Sequence, residues 1–230
     1  MKQKAIRSFQ GFSHETLDFL KNLKAKNSKA WFEANKHVYQ DYLLNPLQNL
    51  VSELSEVMLD IDPNFEARPV INKTISRIYR DTRFSRDKSL FKNNMWVTFK
   101  RPSKDWKDAP CYYFEIFPDW YRYGMGYYSA SKATMDRLRE SIDENPNEFL
   151  EAISFYKNQN LFQIEGEKYK QLIKNQYPPD IDEWYQWKSF YLSCNRKIDE
   201  ALFSPKLVNE LTVGFLMLKP LYWYLMKLKS

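Results

Sequence analysis

The feature that most constrains this chain is a change of period. Apolar residues recur every three or four positions near both ends and every second position in the middle. At the N-terminal end Leu17, Leu20 and Leu23 share a face behind Ser13, a helix-capping residue type, with Glu15 in the first turn. A turn at Asn27 and a cap at Ser28 introduce a second helix carrying Trp31, Asn35, Val38 and Tyr42. Asn45-Pro46 then reads as another helix start, since proline suits the first helical position. Leu47, Leu50, Val51, Leu54, Val57, Met58 and Ile61 make a stripe that Asp62-Pro63 ends.

The middle reads differently. "KTISRIYRD", "NMWVTFKR" and "CYYFEIF" are short and rich in β-branched and aromatic residues. Met95, Val97 and Phe99 alternate with Trp96, Thr98 and Lys100. Gly124 and Gly126 supply the freedom that a bulge or tight bend requires. These patterns predict three to five mostly antiparallel strands over residues 73–128. Helical spacing returns after Ser131 with Met135, Leu138 and Ile142, breaks at Pro146, and resumes at Phe149, Leu150 and Ile153. The stretch 184–193 fits either helix or strand. Ser204-Pro205 opens the last helical region, which Lys219 and Pro220 divide into a helix pair. Strands grouped between helices predict an α+β fold: a central, mainly antiparallel β-sheet flanked by N-terminal and C-terminal helices. With no internal repeat or linker, one domain is expected over residues 1–230, helical over 13–62, sheet over 73–128 and helical over 131–228.

Composition narrows the classes of function. Hydrophobic residues make up 43% and aromatics 17% of the 230 residues, enough for a core and too many for a disordered chain. Two cysteines, Cys111 and Cys194, are too few for a disulfide framework and read as buried free thiols. No apolar run near the start has secretory length, and the divided C-terminal run is too short to span a bilayer, so a cytoplasmic protein without a membrane partner is expected. There is no Walker loop, GxGxxG or GxSxG. His14 and His37 stand apart with no ligand-spaced companions, so neither a metal nor a cofactor is expected. No catalytic residue is assigned, and oligomeric state is left open.

The net charge of +6 is concentrated. Residues 73–101 hold nine Lys or Arg against two Asp, a local excess of +7 that leaves the remainder of the chain at −1. Its centre is "RIYRDTRFSRDK", with four arginines and one lysine in twelve residues. Asp81 and Asp87 cannot neutralise five cations. The surplus must face solvent, pair with distant acids such as Glu115 or Asp119, or await an anion. Arg77, Arg80, Asp81, Arg83, Asp87, Lys88 and Lys92 are therefore the candidate binding residues, of which Arg80, Asp81, Arg83, Asp87 and Lys88 are expected to converge on one concave spot at the sheet edge near the Gly124–Gly126 bend. The competing reading is an ion-pair network that ties a loop to the sheet.

Three stretches carry a resemblance. "RIYRDTRFSRDKSLFK" resembles the signature of the domain-of-unknown-function family numbered 2461, in which Arg-Asp-x-Arg-Phe is followed by Asp-Lys and then by an aromatic residue and Lys. Those positions are Arg80, Asp81, Arg83, Phe84, Asp87, Lys88, Phe91 and Lys92. "FLKNLKAKNSKAWFEANKHVY" and "YGMGYYSASKATMDRLRESI" are similar to that family's opening and to its Gly-rich hairpin and following helix. The chain departs at Leu90 and Phe91, where the family pattern has Pro and Tyr. The resemblance implies a single α+β domain and no particular activity. Four functional readings stand: a binder of a small phosphate- or carboxylate-bearing ligand; a hydrolase or transferase on a phosphorylated small molecule, with Asp81 or Asp87 as base; a weak nucleic-acid binder using the interleaved aromatics; and a purely structural motif.

Overall fold

A computed structural model describes residues 8–83 and 86–229. The elements run α1 (His14–Ala25), α2 (Lys29–Ala34), α3 (Lys36–Val38), a π-helical turn (Tyr39–Leu44), α4 (Asn45–Ile61), β1 (Met95–Phe99), β2 (Pro110–Ile116), β3 (Trp120–Tyr127), α5 (Lys132–Glu144), α6 (Pro146–Ala152), β4 (Gln163–Lys168), α7 (Pro179–Tyr185), β5 (Trp187–Lys197) and α8 (Lys206–Lys227). The strands form one antiparallel sheet in the order β1-β2-β3-β5-β4. The fold is α+β, as the grouping of strands predicts.

Local chemistry explains the helices. At the start of α1 the Ser13 backbone N–H donates to Thr16 Oγ1 at 3.1 Å, whereas at α2 Ser28 acts as the expected cap, its Oγ accepting from Trp31 N–H at 3.3 Å. Ser131 does the same for α5, accepting from Thr134 N–H at 3.1 Å. The α4 stripe is buried at Leu47, Leu50, Val51, Leu54, Met58 and Ile61. Its start differs from expectation: Leu44 is already helical, so Pro46 sits just past the π-turn rather than behind a fresh cap.

Three expectations are corrected. Regular pairing begins at Met95, not at residue 73. Among the described residues, the earlier ones make only the isolated bridges Ile71↔Ile75, Ile75↔Val97 and Tyr79↔Phe91. The region 131–228 is not all helical, since it contains β4 and β5, paired from Gln163↔Ser193 to Lys168↔Trp187. β4 is an exposed edge strand with a single large apolar residue, Ile164, so it carries no alternation to read. Finally, α8 is one helix of 22 residues with Pro220 inside it, not a pair. Proline in a helix interior costs ~3 kcal/mol. Burial of Leu218, Leu221, Tyr222 and Leu225 around it offsets that, at about 1.5–3 kcal/mol per large side chain. Among the described residues no helix is long and apolar enough to cross a membrane.

The chain divides into two compact units. The first comprises Met1–Phe99, Tyr113–Tyr123 and Asn195–Val213. Its core gathers Leu20, Leu23, Leu50, Leu54, Met95, Val97 and Phe114, all fully buried. Phe12 stacks on Phe114, with ring centroids 5.8 Å apart. The second comprises Lys100–Tyr112, Gly124–Cys194 and Gly214–Ser230. Its core is aromatic: Trp184 meets Phe149 and Phe190 edge-on at 5.6 and 5.4 Å. Both glycines of the 124–126 pair lie inside β3, not at a bend. A Cβ on Gly126 would come within 2.3 Å of Tyr191 Cα, so this glycine admits β5. Cys111 and Cys194 are buried free thiols, and burial pushes the Cys111 thiol up to about 12, which makes it inert.

Candidate functional site

The basic segment lies in the first unit as an irregular hairpin. Arg80 N–H donates to Leu90 O and Lys92 N–H to Ile78 O, each at 2.9 Å. Upstream, Ser76 N–H donates to Trp96 O, and Thr98 N–H donates to Thr74 O, which lays the segment along β1. The opening of α2 pins the other side. Asn27 Nδ2 donates to Phe91 O at 2.9 Å, and Asn27 Oδ1 accepts from Phe91 N–H at 3.0 Å. One side chain thus saturates the Phe91 backbone, as a neighbouring strand would. Phe32 stacks on the Phe91 ring at 4.5 Å. Together these hold the next residue, Lys92, in place.

Within the loop most charges satisfy one another. Arg83 grips Asp81 through Nε to Oδ1 at 3.0 Å and Nη2 to Oδ2 at 2.8 Å. Arg77 approaches the same carboxylate at 3.7 Å. Arg83 is the main reason the Asp81 carboxyl is held well below the usual range. Arg80 bonds Asp87 at 3.0 Å and Ser89 Oγ at 3.0 Å. Asp87 Oδ1 accepts from Ser89 N–H at 2.9 Å, and Lys88 Nζ caps Thr82 O at 2.7 Å. Phe84, the remaining residue of the signature, lies outside the described residues. Asp119, the distant acid named above, faces Lys21 at 3.8 Å.

Lys92 is the exception. It is 8% exposed, and its ammonium lies 3.7 Å from the Trp96 ring centroid. Among the described residues it has no ion pair and no hydrogen-bond acceptor. Burial, then the charges of Arg77 and Arg80, push its pKa down to about 8, opposed by Glu115. Glu115 is engaged elsewhere: it takes Arg122 Nε at 2.8 Å, Arg122 Nη2 at 2.7 Å and the Asn94 side-chain amide. Arg122 in turn lies 5.6–5.8 Å from the rings of Tyr113, Phe117 and Trp120. The β2–β3 hairpin sets this up by alternation. Phe114, Ile116, Tyr121 and Tyr123 face the core, leaving Tyr113, Glu115, Phe117, Trp120 and Arg122 on the other side.

The structure therefore splits the candidate residues. Arg80, Asp81, Arg83, Asp87 and Lys88 make local pairs inside the loop. Lys92, with Arg77 and Arg80 as like-charged neighbours, is left with an aromatic ring alone. Asn27, Asn94 and Arg122 were not among the candidates. Asn94 and Arg122 reach the site only through strand pairing, which no local spacing reports.

An α+β fold carrying a cationic hairpin against its first strand is the class that these observations define. The model of the conserved hypothetical protein family DUF2461 matches residues 15–224, and the chain belongs to that family. No curated protein matches it. Among the described residues no group of three His, Cys, Asp or Glu could hold a metal ion.

Proposed function

We propose that the first unit binds a small anion, a phosphate or carboxylate, at Lys92 with Arg77 and Arg80. The observation that carries this reading is Lys92 itself. A nearly buried ammonium beside two guanidinium groups, with the nearest acid already engaged, is electrostatically unfavourable as it stands. An anion placed among the three would remove the repulsion and supply the missing acceptors. A small ligand suits the site better than a polymer. Of the other loop cations, Arg83 is taken by Asp81 and Lys88 by Thr82 O, which reduces the free basic track that a polymer needs.

The test is thermal unfolding with inorganic phosphate, pyrophosphate and citrate, using the wild-type protein and Lys92→Met. A ligand that binds only the native state raises the melting temperature by mass action. The expected result is a concentration-dependent rise for at least one of these anions, abolished in Lys92→Met. Equal shifts in both proteins, or none in either, would overturn the reading.

A further inference from the structure

An anion site explains why Lys92 is charged and unpaired. It does not explain why a lysine is used where an arginine would bind phosphate or carboxylate with better geometry. Resting on the anion-binding reading, we infer that Lys92 is a nucleophilic amine that condenses with the carbonyl of an aldehyde or 2-oxo acid, whose phosphate or carboxylate is held by Arg77 and Arg80.

Four observations support this. Lys92, the buried cation of the cluster, has no carboxylate partner, whereas Arg80 has Asp87 and Arg77 faces Asp81. An ion-paired lysine is held protonated and cannot attack. The Trp96 ring covers the amine at 3.7 Å and reduces its hydration. Burial opposes protonation of the amine, and the charges of Arg77 and Arg80 add to its effect. A cationic neighbour or a desolvated pocket is how lysine amines are activated. Lastly, the Phe91 backbone is clamped on both polar atoms by Asn27, so the amine is presented from a fixed main chain. Glu115, whose charge partly opposes this lowering of the amine's pKa, is held by Arg122 and Asn94 and makes no ion pair with the amine.

The step balances without any further reactant. The neutral amine attacks the carbonyl carbon as the C=O π electrons move to oxygen. Proton transfer from nitrogen to oxygen gives a carbinolamine. Loss of that oxygen as water, together with the second nitrogen proton, leaves a neutral C=N bond. At pH 7.5 an amine with a pKa of about 8 is about one-quarter neutral, against about one part in a thousand for an ordinary lysine.

The experiment is reductive trapping. The full chain is incubated with substoichiometric pyridoxal 5′-phosphate or with glyoxylate, plus cyanoborohydride, at pH 7.5, and labelled lysines are mapped by peptide mass spectrometry. Unphosphorylated pyridoxal is the control aldehyde. The first two probes separate a phosphate from a carboxylate as the anchoring group. The expected result is label at Lys92 at least tenfold above any other lysine, from at least one anionic probe, suppressed by excess inorganic phosphate and weak with pyridoxal. Lys92→Arg, which keeps the charge, should lose the preferential label and keep the phosphate-induced thermal shift. Label spread over exposed lysines, with Lys92 no faster than the rest, overturns the inference. If phosphate still stabilises the wild type and not Lys92→Met in that case, the anion site stands and only the amine chemistry falls.

Discussion

Arg139 and Lys92 are cations of similar burial, at 7% and 8% exposure, one in each unit. Their surroundings are opposite. Arg139 donates to Tyr185 O at 3.0 Å and Trp187 O at 2.7 Å, and pairs with Asp136 at 3.1 Å. Its guanidinium closes the junction where α7 gives way to β5, satisfying carbonyls that would otherwise be buried without donors. Lys92 has a ring face and two like-charged neighbours. Burial of a charge is thus no guide to its role. The partners separate a cation that the fold surrounds with acceptors from one that it leaves without an acid.

The largest expected effect comes from breaking the satisfied case. Arg139→Met should destabilise the protein by about 2–4 kcal/mol, because two buried carbonyls lose their donor. For a chain of this size that is a fall of roughly 4–16 °C in melting temperature. A fall under a degree or two would show that Arg139 is not structural and that the comparison is false.

The unsatisfied case should move the other way. Lys92→Met removes a buried, unpaired charge and keeps most of the side-chain volume. Denaturant unfolding should show neutrality or stabilisation by up to about 2 kcal/mol. A loss comparable to that of Arg139→Met would mean that Lys92 has a structural partner after all.

A subtler contrast lies in pH dependence. The folded-state pKa of Lys92, about 8, is below its unfolded value near 10.5. Below about pH 8 both states hold the proton and the penalty on the folded state is complete. Between about 8 and 10.5 the unfolded state binds more protons, so this group's contribution to stability rises with pH. Lys92→Met lacks that rise. Its stability advantage over the parent should therefore shrink between pH 7 and pH 10. An advantage that holds constant or grows would contradict the assignment.

The smallest effect is expected in the loop. Asp81→Ala breaks a well-formed but exposed pair with Arg83, of the kind that contributes little in water. Its unfolding midpoint should stay within the scatter of ordinary surface substitutions, and anion-induced stabilisation should persist. Loss of that stabilisation would move the site from Lys92 into the loop.

Some of this was legible in the residues alone. The α4 stripe, the cap at Ser28 and the alternation through Met95, Val97 and Phe99 all follow from spacing within one element, and the buried thiols follow from the cysteine count. The pairing of Asp81 with Arg83 is equally local, since residues two apart in an irregular loop can reach each other. A charge surplus in residues 73–101 was also countable. Which cation would carry that surplus was not. β4 escaped notice because an exposed edge strand buries almost nothing and shows no period. Pro220 misled because its local penalty is smaller than the packing of the apolar residues around it.

The sequence by itself determined the N-terminal helices and the strands of the middle, and the presence of more cations in one segment than its acids can match. Both are short-range properties, set by periodicity and by charge count. Only the tertiary structure decided that Lys92 is a cation buried without an acid beside it. That outcome depends on Asn27 clamping Phe91 from 64 residues away, on Trp96 lying against the amine, and on β2 and β3 bringing Arg122 to Glu115. Each is a matter of strand register or helix docking. These place side chains within 3–4 Å of one another for reasons of core packing that neither partner's local sequence contains.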